Sequence, residues 1–393
     1  MSKPFRIGLV MQGGTDWMGG VEYIKNIVFA LSSLPIQVKN TFEIVLICDK
    51  DLDEDLYSSI ASEISTIIYI NKLNKLQKIQ SRLDKIIFNE YYSHIIISLQ
   101  SSLTSKLDFL YPHFSLRYTD CNSVPWIPDF QHKYLSSFFS KKDIIIRDKY
   151  FSYLASNAST IVVSSKSAKQ DFHQFYPKSK SELIVLSFTT SPLESWYMDD
   201  PSVVQQKYDL PSKFVLVSNQ FWQHKNHKII FQAANLLLQQ GITIQIVCTG
   251  RIHDARNPLY GEQLIKMIEE LGLSEQVYLL GLIPKADQVQ LIRLSLAMVQ
   301  PSLFEGWSTV VEDARCFGKQ IALSNIPVHL EQNPPGSKFF DPDKPEDLAD
   351  ILHQWWNEST CGYNREKETT ANEENLSKIQ SFGYKFLEIA RQH

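Results

Sequence analysis

The sequence predicts an α/β protein made of two doubly wound, parallel-sheet (Rossmann-like) domains. Three observations lead there. Short apolar runs of strand length alternate with stretches of helical spacing, in two successive series. The runs are apolar throughout instead of alternating, which marks strands buried on both faces by flanking helices. At 393 residues the chain is long for one core, so two domains are expected.

The first series begins with Phe5–Met11 as a strand. Val21–Leu34 follows with Ile24, Ile27, Val28 and Leu31 on one helical face. Later strands are expected at 43–48, 66–70, 94–99, 160–164 and 183–186. The second series starts at Phe214–Ser218 and continues through 242–249, 277–281, 297–300 and 320–324. Helices are expected between these at 227–239, 259–271, 285–294 and 309–317. Between the two series, 187–211 contains Pro192, Pro201 and Pro211 and little periodicity. The expected domains are 1–190 and 212–373, joined by a linker at 191–211, with a C-terminal helical segment at 374–393.

Composition narrows the function. With 44% hydrophobic, 12% aromatic and 21% charged residues, the chain reads as globular. A net charge of −4 gives no electrostatic case for a nucleic-acid partner. No apolar run approaches the ~18 residues of a membrane span. Met1–Pro4 leads straight into a strand, so no signal peptide is expected. Cys48, Cys121, Cys248, Cys316 and Cys361 lack paired spacing and read as reduced thiols of a cytoplasmic protein.

Ligands of open parallel sheets bind beyond the carboxyl ends of the strands. Two such sheets facing a central cleft would bring loops of both domains to one ligand. The richest loop is Pro301–Ala314. Here a buried strand gives way to Glu305 and Gly306, then Trp307, then a helix opening at Ser308 and Thr309, both good N-cap residues. Unpaired N–H groups at a helix start favour phosphate, and carboxylates accept hydrogen bonds from sugar hydroxyls. That combination suits a nucleotide-sugar. A solvated acidic helix start is the plainer reading of Glu305, Glu312 and Asp313 alone.

Other loops fit the same ligand. Met11–Tyr23 carries Gly19 and Gly20, which permit close backbone approach without the G-x-G-x-x-G dinucleotide spacing. The loop after the first strand of the second series holds Gln220, Trp222, His224, Lys225 and His227. Gly250 and Arg251 end the next strand, and Leu282 and Ile283 follow the one after. In the first series, Pro125–Tyr134 contains Asp129 and His132. Ser164, Ser165 and Asp171 read as structural. Lys72, Lys75, Lys78, Arg82 and Lys85 flank Leu73, Leu76, Ile79, Leu83 and Ile86 at helical spacing. A basic amphipathic helix of this kind can meet an anionic membrane, although a solvated face on a core-packed helix is the favoured reading.

These motifs resemble the retaining, nucleotide-sugar-dependent glycosyltransferases of the glycosyl transferases group 1 family, which have the GT-B fold. The likeness is strongest over 214–335. In that family two acids are separated by seven residues; here they are Glu305 and Asp313, the second either shorter by one methylene or replaced in its role by the neighbouring Glu312. An Arg and a Lys five residues apart neutralise the diphosphate; here Gln220 replaces the Arg and Lys225 is kept, with Arg251 as another cation. The resemblance implies that the loop amides of Gly19 and Gly20 and the helix start at Gly306–Thr309 face the donor phosphates. It implies that Leu282 and Ile283 lie near the nucleobase, while Gly250 lines the cleft. It also implies that His132 approaches the transferred sugar from the first domain and that Glu305 positions the sugar hydroxyls.

The expected activity is metal-independent transfer, with retention, from a UDP- or GDP-linked sugar to a glycan or lipid-linked acceptor, in polysaccharide, lipopolysaccharide or glycolipid synthesis. No cofactor beyond the donor is expected. The expected location is cytoplasmic, with the inner face of the membrane as an optional peripheral contact. The alternatives are a nucleotide-sugar epimerase or hydrolase of the same fold, and a non-catalytic sugar-nucleotide-binding protein; Gln220 and Asp313 are the features favouring the last.

Overall fold

The structure is a computed structural model that describes residues 3–14, 17–70, 74–88, 107–114 and 121–393. Packing divides the chain into two compact units. The first comprises Met1–Phe130, Lys141–Ser191 and Leu376–His393, and the second comprises Gln131–Ser140 and Pro192–Asn375.

In the first unit, β1 (Phe5–Val10), β2 (Phe42–Asp49), β3 (Thr66–Ile70), β4 (Phe109–Tyr111) and β5 (Asn122–Ser123) form a parallel sheet. Its order is β3-β2-β1-β4-β5. A second parallel sheet contains β6 (Trp126–Ile127), β7 (Thr160–Val163) and β8 (Glu182–Val185). Strands expected to extend one sheet therefore form two. The break lies at Val124-Pro125. The Val124 N–H still donates to the Leu110 carbonyl, while the Pro125 carbonyl accepts from Val162 of the second sheet. Proline has no N–H to continue the first ladder. The strand expected at 94–99 lies outside the described residues.

The helix Met18–Ser32 buries Val21, Ile24, Ile27, Val28 and Leu31. The last helix begins earlier than expected and spans Arg365–Gln392. Its Phe386 is fully buried, with edge-on contacts to Phe109 and Tyr111. Gly383 is required there, since a Cβ would sit 2.5 Å from the Ala30 carbonyl oxygen.

The helix Lys75–Phe88 departs from the favoured reading. Leu76, Ile79 and Leu83 are 78%, 54% and 48% exposed, so its apolar stripe is not packed into the core. Lys75, Lys78 and Arg82 are exposed beside it. Lys72 and Leu73, and the side chains of Lys85 and Ile86, lie outside what is described.

The second unit holds β9 (Val215–Ser218), β10 (Ile246–Thr249), β11 (Val277–Leu279), β12 (Ala297–Gln300), β13 (Ile321–Ser324) and β14 (Lys338–Phe340). All pairings are parallel, in the order β11-β10-β9-β12-β13-β14. This is the doubly wound order, whose direction reverses between β9 and β12. Helices His227–Gln239, Tyr260–Glu270, Lys285–Leu294 and Thr309–Cys316 fall within two residues of expectation. The expected linker is corrected. Within it, Glu194–Met198 and Pro201–Lys207 are helical, and Trp196, Val204 and Leu210 are buried in the core of this unit. Pro201 stands at a helix start, where its missing N–H costs nothing, and Asp200 caps that helix by accepting from Ser202 N at 2.9 Å.

Arg293, 2% exposed, ties this region together. Its guanidinium donates to both Glu368 oxygens at 2.8 and 3.2 Å and to the carbonyls of Trp196, Tyr197 and Asp199.

Candidate active site

The strand order of the second sheet changes direction between β9 and β12, and the loops after these two parallel strands converge. The first loop runs through the short helical turn Gln223–Lys225 to Asn226, whose left-handed φ of 53° turns the chain into helix His227–Gln239. The second runs from Pro301 to Ser308. The N–H of Leu303 donates to the His224 carbonyl at 2.8 Å and joins them.

Glu305 is the centre. Its Oε1 accepts from Lys225 Nζ at 2.5 Å, Ser302 Oγ at 2.6 Å and Gln300 Nε2 at 3.0 Å. Asn219 Nδ2 in turn donates to Gln300 Oε1 at 2.7 Å and fixes the amide orientation. Glu305 Oε2 has no partner among the described residues. One oxygen anchors the carboxylate and the other remains for a ligand. The Lys225 and Glu305 side chains are only 14% and 10% exposed. Such a pair is costly to desolvate, so its presence favours a site over a stability device.

Ser308 is the N-cap of helix Thr309–Cys316, yet its side chain makes no cap bond. Its buried Oγ has no partner among the described residues. Gln332 instead fixes the Ser308 backbone: Oε1 accepts from Ser308 N at 3.1 Å and Nε2 donates to Ser308 O at 3.0 Å. The helix start thus offers a hydroxyl and its positive dipole end to an anion.

The two neighbouring acids point to different partners. Glu312 accepts from Gln332 Nε2 at 2.9 Å and Arg315 Nε at 3.2 Å. Asp313, 1% exposed, pairs with Lys285 Nζ at 2.5 Å. Lys285 opens the helix after Pro284, so Asp313 faces the loop that carries Leu282 and Ile283. Leu282 is 52% exposed and Ile283 is partly buried against the core.

Gln220 is committed on one side: its Oε1 accepts from Arg251 N at 3.0 Å. Gly250 holds φ at 119°, and a Cβ there would lie 2.1 Å from the Asn219 carbonyl oxygen. The two loops can approach this closely only with glycine at that position.

His132 requires a correction. It was expected in the first domain, but Gln131–Ser140 packs with the second unit. Arg256 NH1 donates to Gln131 Oε1 at 3.1 Å, and Tyr134 stacks on Phe304 at 5.3 Å. His132 itself is 1% exposed, edge-on to Phe139. Asp129 remains with the first unit, where it pairs with Arg147 at 3.3 Å. Gly19 and Gly20 also belong to the first unit, in the first turn of helix Met18–Ser32. A Cβ on Gly20 would come 2.9 Å from the Trp17 ring, which stacks on Trp126. Ser165 is structural, as expected: its Oγ caps helix Lys166–Phe175.

Sequence reasoning missed Gln300, Ser302, Lys285, Gln332 and Arg256. Gln300 left a trace, as a polar residue closing an apolar strand. It also missed His329, a buried imidazole whose Nδ1 lies 3.0 Å from Ser324 Oγ. Burial holds the His329 pKa down at about 4, against the raising pull of Glu305. Burial and then Lys225 bring that of His227 down to about 3. His224 is likewise held neutral by burial, then by Lys225 and Arg256.

Residues 202–375 match the model of the family described as Glycosyl transferases group 1. A comparison with curated protein sequences returns no match. Among solved structures, the chain is similar to HepE of Anabaena in complex with UDP and glucose, at TM-score 0.71 and 15% identity, covering 99% of this chain and 100% of that one. It is similar to a glycosyltransferase of Rickettsia africae at TM-score 0.67 and 15% identity, covering 99% and 98%. A third is the sucrose-phosphate synthase of Thermosynechococcus elongatus, at TM-score 0.69 and 12% identity, covering 99% and 98%. At these identities the likeness establishes the fold, an α/β GT-B architecture with two parallel-sheet domains.

Proposed function

Because residues 202–375 match the model of the Glycosyl transferases group 1 family, we propose that the protein transfers a sugar from a nucleotide-sugar to an acceptor hydroxyl, with retention and without a metal ion. The observation that carries this is the Lys225–Glu305 pair at the sheet reversal, with Glu305 Oε2 and Ser308 Oγ both unpartnered among the described residues. Lys225, Ser308 and the start of helix Thr309–Cys316 receive the diphosphate. Glu305 Oε2 accepts from the hydroxyls of the donor sugar.

The bond from the anomeric carbon to the diphosphate lengthens first, giving an oxocarbenium-like centre. The acceptor oxygen bonds to that carbon on the same face. Its proton passes to a phosphate oxygen of the departing diphosphate. Lys225 and the helix dipole stabilise the charge that develops on this group. His132 contacts the sugar. Asp313, paired with Lys285, takes the second acidic position on the nucleoside side.

The UDP and glucose held by HepE make a UDP-hexose the first donor to test, with GDP-sugars second. A thermal-shift screen of nucleotide-sugars, followed by nucleotide release with and without glycan or lipid-linked acceptors, tests the reading. A midpoint unmoved by every nucleotide-sugar would overturn it, and release that needs no acceptor would make the protein a hydrolase. The same reading includes peripheral membrane contact through Leu76, Ile79, Leu83 and the cations beside them. Co-sedimentation with anionic but not neutral vesicles is the expected result; equal binding to both, or none, rejects it. Among the described residues, no helix is long and apolar enough to cross a membrane.

A further inference from the structure

Arg256 sits at the junction of three segments of the second unit. Its guanidinium lies over the Phe139 ring at 5.0 Å and over the Trp222 ring at 5.4 Å. NH1 donates to Gln131 Oε1 at 3.1 Å. NH2 donates to His224 Nδ1 at 3.1 Å, which the neutral imidazole allows. The backbone N–H and Nε both donate to Asp254 Oδ1, at 2.9 and 3.4 Å. Asp254, 2% exposed, uses its other oxygen to accept from Gln223 N at 2.9 Å.

These contacts are not decoration of a surface. Phe139 and Gln131 belong to the segment that carries His132, whereas Trp222, Gln223 and His224 belong to the loop that ends in Lys225. His224 passes the linkage on, since its carbonyl accepts from Leu303 of the loop that holds Glu305. A planar cation can lie against two rings and still direct N–H groups to an amide, an imidazole and a carboxylate. A lysine would supply charge without the fork.

We infer that Arg256 is a positioning residue for the transfer reaction: it pins the Gln131–Ser140 segment, and with it His132, to the loop of Lys225. The pin is set within the second unit, between the segment of His132 and the loop of Lys225. The kinetic consequence rests on the donor-site reading above, whereas the pin itself rests on the geometry.

The test uses full-length Arg256→Met and Arg256→Lys, with Phe139→Leu removing one of the two rings that the guanidinium meets. Hydrogen–deuterium exchange is read in peptides covering 131–140 and in peptides covering β9, β10 and β12. All three variants should speed exchange in 131–140 and leave the strand peptides unchanged. With a working donor, kcat should fall about tenfold or more while the Kd for UDP changes less than about threefold, as for a misplaced group near the reacting centre. Adding Arg256→Met to His132→Ala should cost less than about twofold beyond His132→Ala, because both changes remove the same contribution. Unchanged exchange at 131–140 in the variants that fold would overturn the pin, even if no donor is ever found. Independent, multiplying losses in the double variant would overturn the link to His132 while leaving the donor-site reading intact.

Discussion

At the scale of single residues, the site is organised around one carboxylate oxygen. Glu305 Oε1 accepts from Lys225, Ser302 and Gln300, which holds Oε2 in one orientation. Glu305→Ala should therefore lower turnover about a hundredfold or more without unfolding the protein. Steady-state rates beside a thermal melt check this, and near-normal turnover in the folded variant would remove Glu305 from the mechanism. Lys225→Ala acts differently. It removes the charge that meets the diphosphate, so titration calorimetry should find weaker UDP binding together with slower turnover. Glu305 and Lys225 were legible because each stands in a short, recognisable loop after a buried strand. The residues that orient them were not. Nothing local marks Gln300 as a partner of Glu305, or Lys285 as a partner of Asp313, because each pairing depends on which strands and loops become neighbours. The family pattern, with an Arg where this chain has Gln220, implies that Gln220→Arg would be tolerated or would improve donor affinity. The bond from Arg251 N to Gln220 Oε1 argues otherwise, since arginine has no acceptor to offer there.

At the scale of elements, apolar strands and periodic helices were read well and short helices were not. The strands at 66–70 and 297–300 match to the residue. The helices Glu194–Met198 and Pro201–Lys207, with five and seven residues, are too short to show a period, and their prolines look like linker punctuation. Their anchoring is equally hidden, because Arg293 reaches them from a helix about a hundred residues later in the chain. Glu368→Ala leaves that guanidinium, 2% exposed, without its counter-charge. Breaking such a buried pair should cost about 3–5 kcal/mol. Urea unfolding measures it, and a loss below about 1 kcal/mol would show that the carbonyls of Trp196, Tyr197 and Asp199 suffice alone.

At the scale of the whole molecule, the two-unit architecture and the parallel pairing were readable from alternating strands and helices. The exact membership of the units was not, because it depends on packing between distant segments such as Gln131–Ser140 and Leu376–His393. Acid stability is also a property of the whole. His227 and His329 have folded pKa values near 3 and 4, below the ordinary 6.5. The unfolded chain therefore binds more protons than the folded one as pH falls from 6.5 towards these values. Stability should be full above about pH 6.5 and decline below it, by about 1.4 kcal/mol per pH unit for each histidine. Melting from pH 7.5 to pH 5 checks the sign, and a flat profile would mean that these rings take up protons without opening the fold. The helix Arg365–Gln392 carries a different consequence. Phe386 closes the apolar core over Phe109 and Tyr111, so the first unit is incomplete without it. During synthesis, residues 376–393 emerge from the ribosome after every strand of both units. The apolar core around Phe109 and Tyr111 can therefore be closed only after the second unit has been made.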